Sequence, residues 1–299
     1  MKFSSATLAC FVQVCRVKGF SPAAEKLGRS QSAISTQIAR LESDLGVKLF
    51  DRSKRPLLLT EAGRCFLEFA TDILNRADRF ERYVSELSRG IAGEVKIGAS
   101  TSVGTYILPG LLSRLLRRSP KLEISLSTQG RSLVFESVRR GEVDFGLVLS
   151  DKSPSDLSCE HLKTERLCLI VSPKHPLAKK RRLKISALAA APFVVGPRGT
   201  EYTEMINRIL ARHHLSGYEV AARISNFDGV KELVQAGVGI GLLPHFMVRR
   251  EIQDRVLDQL KVDGFKPVAR IMRVETPQHL STPTVERVKR LLSCAISRL

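Results

Sequence analysis

The sequence predicts an α/β protein with a small helical domain, one long helix and a larger domain of alternating strands and helices. Three observations support this fold class. Short segments near the N terminus, including 21–28 and 30–45, repeat apolar residues at helical spacing. One apolar stripe then continues from residue 61 to about residue 89. From residue 94 onward, short β-type runs alternate with helical segments, which is typical of a doubly wound, mostly parallel sheet.

The stretch 21–46 reads as two helices joined by a tight turn. Ser21 is expected to cap the first helix, with Pro22 at its first position and Gly28 at its end. Ser30 is expected to cap the second helix, which turns short polar side chains outward. This layout is typical of a helix that enters the DNA major groove by its N-terminal end. The residues predicted to lie at that DNA surface are Ser30, Gln31, Ser32, Ala33, Ser35, Thr36 and Arg40.

Two short β-type runs follow in residues 47–60, on either side of a basic turn that contains Arg52, Lys54 and Arg55. A basic hairpin behind a helix-turn-helix predicts a wing, so we expect Arg52 and Arg55 to contact phosphate or the minor groove. The alternative is an ordinary helical hairpin whose outer face is merely polar.

The pattern continues from Phe11 to Gly63 without a gap. Its members are Phe11, Gly19, Phe20, Ser21, Ala23, Ala24, Leu27, residues 30–35, Gln37, Ile38, Leu41, Glu42, Leu45, Gly46, Leu49, Phe50, Arg52, Leu59, Thr60, Ala62 and Gly63. This set resembles the N-terminal signature of the LysR-type transcriptional regulators. Ser32 stands where many members carry proline, and Arg29 stands where a small or β-branched residue is common. Both departures lie at the protein–DNA face, so they concern the operator sequence.

The long helix at 61–89 carries an apolar stripe that includes Phe66, Phe69, Ile73 and Phe80. Such a stripe needs a partner surface, either its own domain or a second copy. The resemblance favours the second copy, because the linker helices of the family pair. A twofold protein reads a near-palindromic site with half-sites about one helical turn, or a multiple of it, apart. The resemblance also implies homotetramers and RNA polymerase as a partner.

The remaining chain alternates between the two kinds of element. Strands are predicted at 94–99, 122–127, 143–149, 168–171, 193–195, 221–224 and 239–243, and helices at 102–118, 132–140, 202–213, 227–236 and 284–298. The resemblance implies a two-lobed effector domain like that of periplasmic binding proteins. The expected domains are residues 1–60 for DNA binding, 61–92 for the linker helix and hinge, and 93–299 for the effector domain. Lobe 1 is expected at about 93–163 and 268–299, and lobe 2 at about 164–267.

Polar side chains follow three of the predicted strands, each at the start of a helix. Ligands bind at this edge of open α/β sheets, and helix N-termini favour an anionic or carbonyl-bearing molecule. The alternative for any one of these residues is an ordinary helix cap. The predicted effector site comprises Ser100, Thr101, Ser102, Gln129, Arg131, Leu149, Asn226 and Phe227, with Arg131 as the charge for an anionic group.

Charge and cysteine content indicate what kind of partner the protein binds and in which compartment it works. The net charge of +18 favours a polyanionic partner, although residues 1–60 supply only +6 of it. The six cysteines show no paired spacing, so we expect reduced thiols. The apolar start of the chain is too short for a signal peptide, and no run approaches the ~18 apolar residues of a membrane span. These features predict a soluble cytoplasmic protein without a membrane partner.

Other candidate binding or catalytic sites lack the residues that their chemistry requires. Residues 237–241 lack the spacing of a dinucleotide-binding loop, and His213 and His214 have no cysteine at ligand spacing. Cys159 and His161 have no third catalytic group, and the basic run 179–182 reads as a solvated loop that could touch bent DNA. We therefore predict a regulator that is not an enzyme, with no metal or cofactor and a small-molecule effector. Two alternatives remain: a small-molecule binding module with a vestigial helix-turn-helix, and a doubly wound enzyme with an added helical domain.

Overall fold

The computed structural model describes residues 3–51, 56–89, 93–277 and 281–299. Contacts within the chain divide it into an N-terminal and a C-terminal unit, which are described separately. The predicted hinge at 90–93 lies outside the described residues except for Gly93. No helix in the described part of the chain is long and apolar enough to cross a membrane.

In its described residues, the N-terminal unit contains four helices and a short hairpin. The elements are α1 (Ser5–Val17), α2 (Phe20–Leu27), α3 (Gln31–Leu45), β1 (Phe50–Asp51), β2 (Leu58–Leu59) and α4 (Glu61–Arg89). The two strands pair antiparallel, with Phe50 opposite Leu59. Gly28 and Gly46 end α2 and α3 in the left-handed conformation, with φ of 61° and 71°, which glycine adopts without a steric penalty.

The predicted cap of α2 was wrong. The helix begins at Phe20 with Gly19 as its extended N-cap, so Ser21 lies inside the first turn. The first four N–H groups of a helix have no intrahelical acceptor, and Pro22 is therefore tolerated at the third position as well as at the first. Ser30 caps α3 as predicted, since its side chain accepts from the Ala33 N–H.

An aromatic cluster forms the centre of the N-terminal unit. Phe11 is fully buried, and its ring lies 5.0 Å from that of Phe66 and 5.2 Å from that of Phe50. Ile34 and Ile38 supply the buried face of α3. The core therefore ties α1, α3, the hairpin and the start of α4 together, which fixes the side of α3 that remains exposed.

The C-terminal unit alternates strands and helices. Its elements are β3 (Gly93–Ser100), α5 (Thr101–Tyr106), α6 (Leu108–Arg118), β4 (Leu122–Gln129), α7 (Arg131–Arg139), β5 (Phe145–Ser150), β6 (Ser158–Val171), β7 (Phe193–Val195), α8 (Glu201–Arg212), β8 (Val220–Arg223), α9 (Phe227–Gln235), β9 (Gly241–Pro244), α10 (His245–Gln253), β10 (Asp258–Gln259), β11 (Val268–Glu275) and α11 (Pro283–Ser297). Two 3-10 helices, Pro176–Lys179 and Ile185–Ala190, lie between β6 and β7.

The sheets are mixed, so the expectation of mostly parallel strands was wrong. β3 pairs parallel with β4 and β5, and β7 pairs parallel with β8. β11 pairs antiparallel with β5 and β6, and β6 pairs antiparallel with β9 and β10. β11 thus runs opposite to both of its partners, and β6 runs opposite to all three of its own.

β6 is one strand of fourteen residues that changes partner along its length. Its first part, up to Arg166, pairs with β11, and its last part, from Leu167, pairs with β9 and β10. The pairing with β11 shifts register between Ile271 and Met272, which leaves Leu162 without an opposite residue. The lobe boundaries at 163/164 and 267/268 stay predictions.

Two further helical features differ from the expectation. The single helix predicted at 102–118 is two helices, α5 and α6, which meet at Ile107. Pro109 explains the break, because a proline inside a helix removes a hydrogen bond and clashes with the preceding turn, whereas it fits the first turn of α6. The helix α10 follows β9 directly and was not predicted.

Candidate nucleic-acid interface and ligand cavity

The outward face of α3 presents the side chains that the sequence predicted for DNA contact. Gln31, Ser32, Ala33, Thr36 and Arg40 are exposed, and Ser35 is half-buried. Ser30 is exposed as well, but its Oγ accepts the Ala33 N–H at 3.2 Å and lies 3.1 Å from the Ser32 Oγ. Ser30 therefore holds the helix start in place. Arg52 and Arg55 lie outside the described residues.

Two linked side-chain hydrogen bonds connect Arg29, Gln37 and Thr7 beside this face. Arg29 Nη1 donates to Gln37 Oε1 at 3.0 Å, and Gln37 Nε2 donates to Thr7 Oγ1 at 3.2 Å. Gln37 thus joins the start of α3 to α1. Sequence reasoning placed Gln37 in the family signature but gave it no role.

The buried carboxylate of Glu42 joins α3 to the hairpin. One oxygen accepts the N–H of Leu49 at 2.8 Å and of Phe50 at 3.2 Å, and the other lies 3.3 Å from Lys48 Nζ. Phe50 begins β1, and Leu49 directly precedes it. Glu42 therefore fixes the position of β1 relative to α3. The sequence offered one signal for this role: Glu42 lies one helical turn after Ile38, on the apolar face of α3.

The hairpin is joined to α4 by a close backbone approach. Thr60 Oγ1 donates to the Lys48 carbonyl at 2.7 Å and accepts the Gly63 N–H at 3.0 Å, so Thr60 caps α4. A Cβ atom at position 63 would overlap the Leu49 carbonyl oxygen. Glycine is therefore required at this position.

The long helix α4 leaves part of its apolar stripe uncovered within the chain. Phe66 is buried in the aromatic cluster, whereas Phe69, Phe80 and Val84 are 46%, 59% and 48% exposed. These positions are spaced to share one face. Leu87, which the sequence placed on the same stripe, has no described side chain.

The C-terminal unit contains a cavity of about 430 Å³ at the carboxyl ends of β3, β4 and β8. Its walls come from the ends of these strands, from β7 and β9, and from the starts of α5, α7, α8 and α9. The lining includes all eight predicted effector residues, namely Ser100, Thr101, Ser102, Gln129, Arg131, Leu149, Asn226 and Phe227. The structure thus brings these side chains together, while their role in binding stays a prediction.

Several polar side chains of the lining form hydrogen bonds within the protein. Ser100 Oγ is buried, accepts the Leu149 N–H at 3.1 Å and lies 3.2 Å from Ser102 Oγ. Gln129 donates its amide to Ser137 Oγ at 3.0 Å. Asn226 caps α9, because its Oδ1 accepts the Gly229 N–H at 2.6 Å.

Arg131 is held by groups of the protein. Its Nη1 donates to Ser150 Oγ at 2.9 Å and lies 3.4 Å from Asp151 Oδ1. Asp151 also accepts two hydrogen bonds of 3.0 Å from Arg208, which lies on α8. Burial opposes the charge on Asp151, but the hydrogen bonds and charge of Arg208, with Arg131, lower the pKa of its carboxyl group below the usual value.

Glu201, at the start of α8, was missed by sequence reasoning. Its carboxylate accepts the Ser132 N–H, with both oxygens at 3.0 Å, and also the Ser132 hydroxyl. It lies 4.0 Å from Arg131 Nε. Thr200 and Thr203 also line the cavity and were missed, although a threonine followed by an acid is a common signal for a helix start.

An aromatic and charged cluster lies next to Phe227, which lines the cavity. The Phe227 ring lies 4.9 Å from Tyr202 and 6.3 Å from Tyr106. Tyr106 donates its hydroxyl to Asp228 Oδ1 at 2.8 Å, and Lys231 pairs with Asp228 and Glu251. Burial, followed by the bond to Asp228, raises the pKa of Tyr106, so its hydroxyl stays protonated.

The described residues contain no cluster of three side chains that could hold a metal ion. All six cysteines are free thiols. Burial raises the pKa of Cys15 to about 12 and of Cys168 to about 11. The basic side chains at 179–182 are exposed, as expected of a solvated loop.

A recognition helix and hairpin in one unit, with a ligand cavity in an α/β unit, define a transcription regulator that binds DNA and responds to an effector. Residues 6–64 match the family described as bacterial regulatory helix-turn-helix protein, lysR family, and residues 88–295 match the LysR substrate binding domain. The chain belongs to the LysR family of transcriptional regulators. These matches confirm the predicted resemblance, fold class and general function.

Individual relatives and solved structures are similar to this protein over nearly the whole chain. The HTH-type regulator YeiE of Escherichia coli strain K12, itself uncharacterized, is 31% identical over 89% of this chain and 87% of its own length. CysL of Bacillus subtilis is 28% identical over 93% of both chains. A full-length OxyR variant from Pseudomonas aeruginosa has a TM-score of 0.74 at 20% identity, covering 98% of this chain and 94% of that chain. Full-length CbnR in complex with its target DNA has a TM-score of 0.71 at 22% identity, covering 99% of both chains.

Proposed function

We propose that the protein binds a near-palindromic operator through α3 and the hairpin, and that a small molecule in the cavity controls this binding. The observation that carries the proposal is the exposed polar face of α3, held by Glu42 and Gln37 against a rigid core. A rigid support matters because base readout depends on side chains held in a fixed position on the duplex.

The residues of α3 have distinct expected roles. Gln31, Ser32 and Thr36 would read base edges in the major groove, and Ala33 would contact a thymine methyl. Arg40 would bind phosphate, and Arg52 and Arg55 would bind phosphate or the minor groove. The exposure of the α3 residues supports these roles.

The exposed side chains of α4 support a homodimer. Phe69, Phe80 and Val84 would be covered by α4 of a second copy, which removes their apolar surface from water. Two copies would then place two recognition helices along the duplex, and pairs of dimers would form homotetramers.

The effector would bind in the cavity between two lobes, with the boundaries at 93–163 plus 268–299 and 164–267. Binding would change the angle between the lobes and so the pairing of dimers and the bending of DNA. In this scheme the protein works in the cytoplasm beside RNA polymerase and catalyses no reaction.

A footprint of the protein on the DNA upstream of its own gene, recorded over a series of salt concentrations, tests the proposal. We expect protected segments spaced by whole helical turns and an affinity that falls steeply with salt. Weak, unphased protection would mean that the charge alone attracts DNA, and it would favour a vestigial helix-turn-helix. Turnover of a metabolite by the protein would instead favour the enzyme alternative.

A further inference from the structure

The start of α7, which the sequence predicted as an anion site, already holds an anion of the protein. Ser132 is the second residue of α7, and its N–H is one of those that a helix leaves without a backbone acceptor. The Glu201 carboxylate accepts this N–H and the Ser132 hydroxyl. A ligand carboxylate at the same place would have to displace Glu201.

Glu201 also shares Arg131 with Asp151. Among the described residues that line the cavity, Arg131 and Glu201 are the charged ones. Behind them, Asp151 pairs with both Arg131 and Arg208. These two cations and two anions balance, so the cavity offers no net charge to a ligand. An anion would gain little from Arg131, and it would lie close to the Glu201 carboxylate.

A second helix start at the cavity, that of α9, is satisfied too. Asn226 Oδ1 accepts the Gly229 N–H in the first turn of α9, and Asp228 adds a negative charge in that turn. The positive end of the α9 dipole is therefore compensated by the protein. Helix starts first suggested an anionic effector, and the protein thus compensates two of the three, those of α7 and α9, whereas the short helix α5 has no side-chain cap.

The remaining lining is apolar with a few neutral polar groups. Leu149, Phe193 and Phe227 contribute apolar walls, as do several other aliphatic side chains. The hydroxyls of Thr101, Ser102 and Ser225 can donate or accept hydrogen bonds without a charge. Such a surface suits a ligand with an apolar body and one or two polar groups.

We propose that the cavity takes an uncharged, largely apolar molecule bearing hydroxyl, amide or carbonyl groups, and that Glu201 excludes anionic analogues. This inference rests on the proposed function only in treating the cavity as the effector site. It replaces the anionic effector that the sequence suggested. Glu201 acts by occupying the start of α7 and by repelling a second carboxylate.

Matched probe pairs test the proposal on the full-length protein. Benzamide and benzoate, phenylacetamide and phenylacetate, and hexanamide and hexanoate differ mainly in charge, and their binding can be measured by calorimetry and by ligand-observed NMR. We expect at least one amide to bind ~10-fold or more tightly than its carboxylate, since a like charge nearby costs at least that factor. Thr101→Trp, at an exposed position of the lining, should abolish this binding and so locate it in the cavity.

Glu201→Gln should raise the affinity for the paired carboxylate ~10-fold, because the charge is lost while the side chain remains. Glu204→Gln, one turn further along α8 and exposed, is the matched control and should change neither affinity. Tighter binding of the carboxylates by the unaltered protein would overturn the proposal. So would the absence of amide binding in all pairs, or an unchanged carboxylate affinity in Glu201→Gln.

The footprint on operator DNA, recorded on the same preparation without probe, separates the two hypotheses. Loss of phased protection would count against the proposed regulator while leaving the amide preference intact. Phased protection together with a carboxylate preference would keep the regulator and reject the neutral ligand.

Discussion

At the scale of single residues, the exposed face of α3 is proposed to contact both base edges and phosphates. Single substitutions can distinguish these two kinds of contact. Gln31→Ala should weaken binding to the operator by ~1–3 kcal/mol and leave non-specific binding unchanged, because a base contact is lost. Arg40→Ala should weaken binding to all sequences and reduce the salt slope by ~1, because a phosphate contact is lost.

Fluorescence anisotropy with operator and scrambled duplexes at several salt concentrations measures both effects. Ser43→Ala, at an exposed position in the last turn of α3, is the control and should have no effect. If Gln31→Ala weakened binding to both duplexes equally, Gln31 would not read a base.

The cysteines differ in their readiness to react. A raised pKa leaves less thiolate at neutral pH, and the thiolate is the reactive form. Cys168 is buried, Cys15 is half-buried, and the pKa of each is raised, whereas Cys294 is exposed. We expect iodoacetamide at pH 7.5 to modify Cys294 well before the other two, as followed by peptide mass spectrometry. Equal rates at Cys168 and Cys294 would show that the C-terminal unit opens readily in solution, and equal rates at Cys15 and Cys294 would show the same of the N-terminal unit.

The sequence predicted the cavity residues whose signal is local. Ser100 and Ser102 were found because a run of hydroxyl residues follows a strand. Glu201 was not found, because its partner Ser132 comes from a distant part of the chain. The pairing of Arg131 with Asp151 was missed for the same reason, and Arg131 was therefore assigned to a ligand.

At the scale of secondary-structure elements, two helical glycines provide a direct comparison. Gly63→Ala should destabilise the N-terminal unit by ~1–3 kcal/mol, because the new Cβ overlaps the Leu49 carbonyl and forces a backbone shift. Gly110→Ala in α6 meets no atom within 4 Å. It should be neutral or stabilise by up to ~1 kcal/mol, because alanine is the better helix former.

Urea unfolding followed by circular dichroism gives both free energies. Operator binding should be lost in Gly63→Ala and kept in Gly110→Ala. A Gly63→Ala protein with unaltered stability would mean that the junction between the hairpin and α4 is looser than the structure indicates.

Element boundaries were predicted best where one residue type has a strong local effect. Gly28, Gly46 and Ser30 end or begin their helices as expected. The break between α5 and α6 was missed, although Pro109 was visible, because the apolar spacing continues across it. α10 was missed because only Met247 and Val248 are buried within it, which leaves a weak periodic pattern.

At the scale of the whole molecule, the exposed stripe of α4 determines the expected assembly. Phe80→Asp should convert a dimer into a monomer, because it places a charge in the proposed helix–helix interface. Glu81→Lys, at the adjacent exposed position, is the control and should leave the dimer intact. Light scattering coupled to size-exclusion chromatography measures the mass. A dimeric Phe80→Asp protein would place the interface elsewhere.

The charged groups beside the cavity predict a dependence of stability on pH. The pKa of Asp151 is lowered in the folded state, so its pairing stabilises the fold above the ordinary pKa of 3.8. This contribution is lost as the pH falls through the lowered pKa. Asp151→Asn should therefore cost about 2 kcal/mol at pH 7, and the difference from the unaltered protein should shrink below pH 3.8. Calorimetric unfolding at pH 7 and at strongly acidic pH tests this, and a constant difference would contradict it.

The change of partner along β6 has a mechanical consequence. β6 and β11 are neighbours in a seven-stranded sheet, and Leu162, which has no opposite residue on β11, lies where their register shifts. Such a bulge weakens the ladder locally and increases the twist of the strands. In the proposed scheme, a ligand that changes the angle between the lobes would have to twist β6 and β11, and this bulge is where the ladder would resist that twist least.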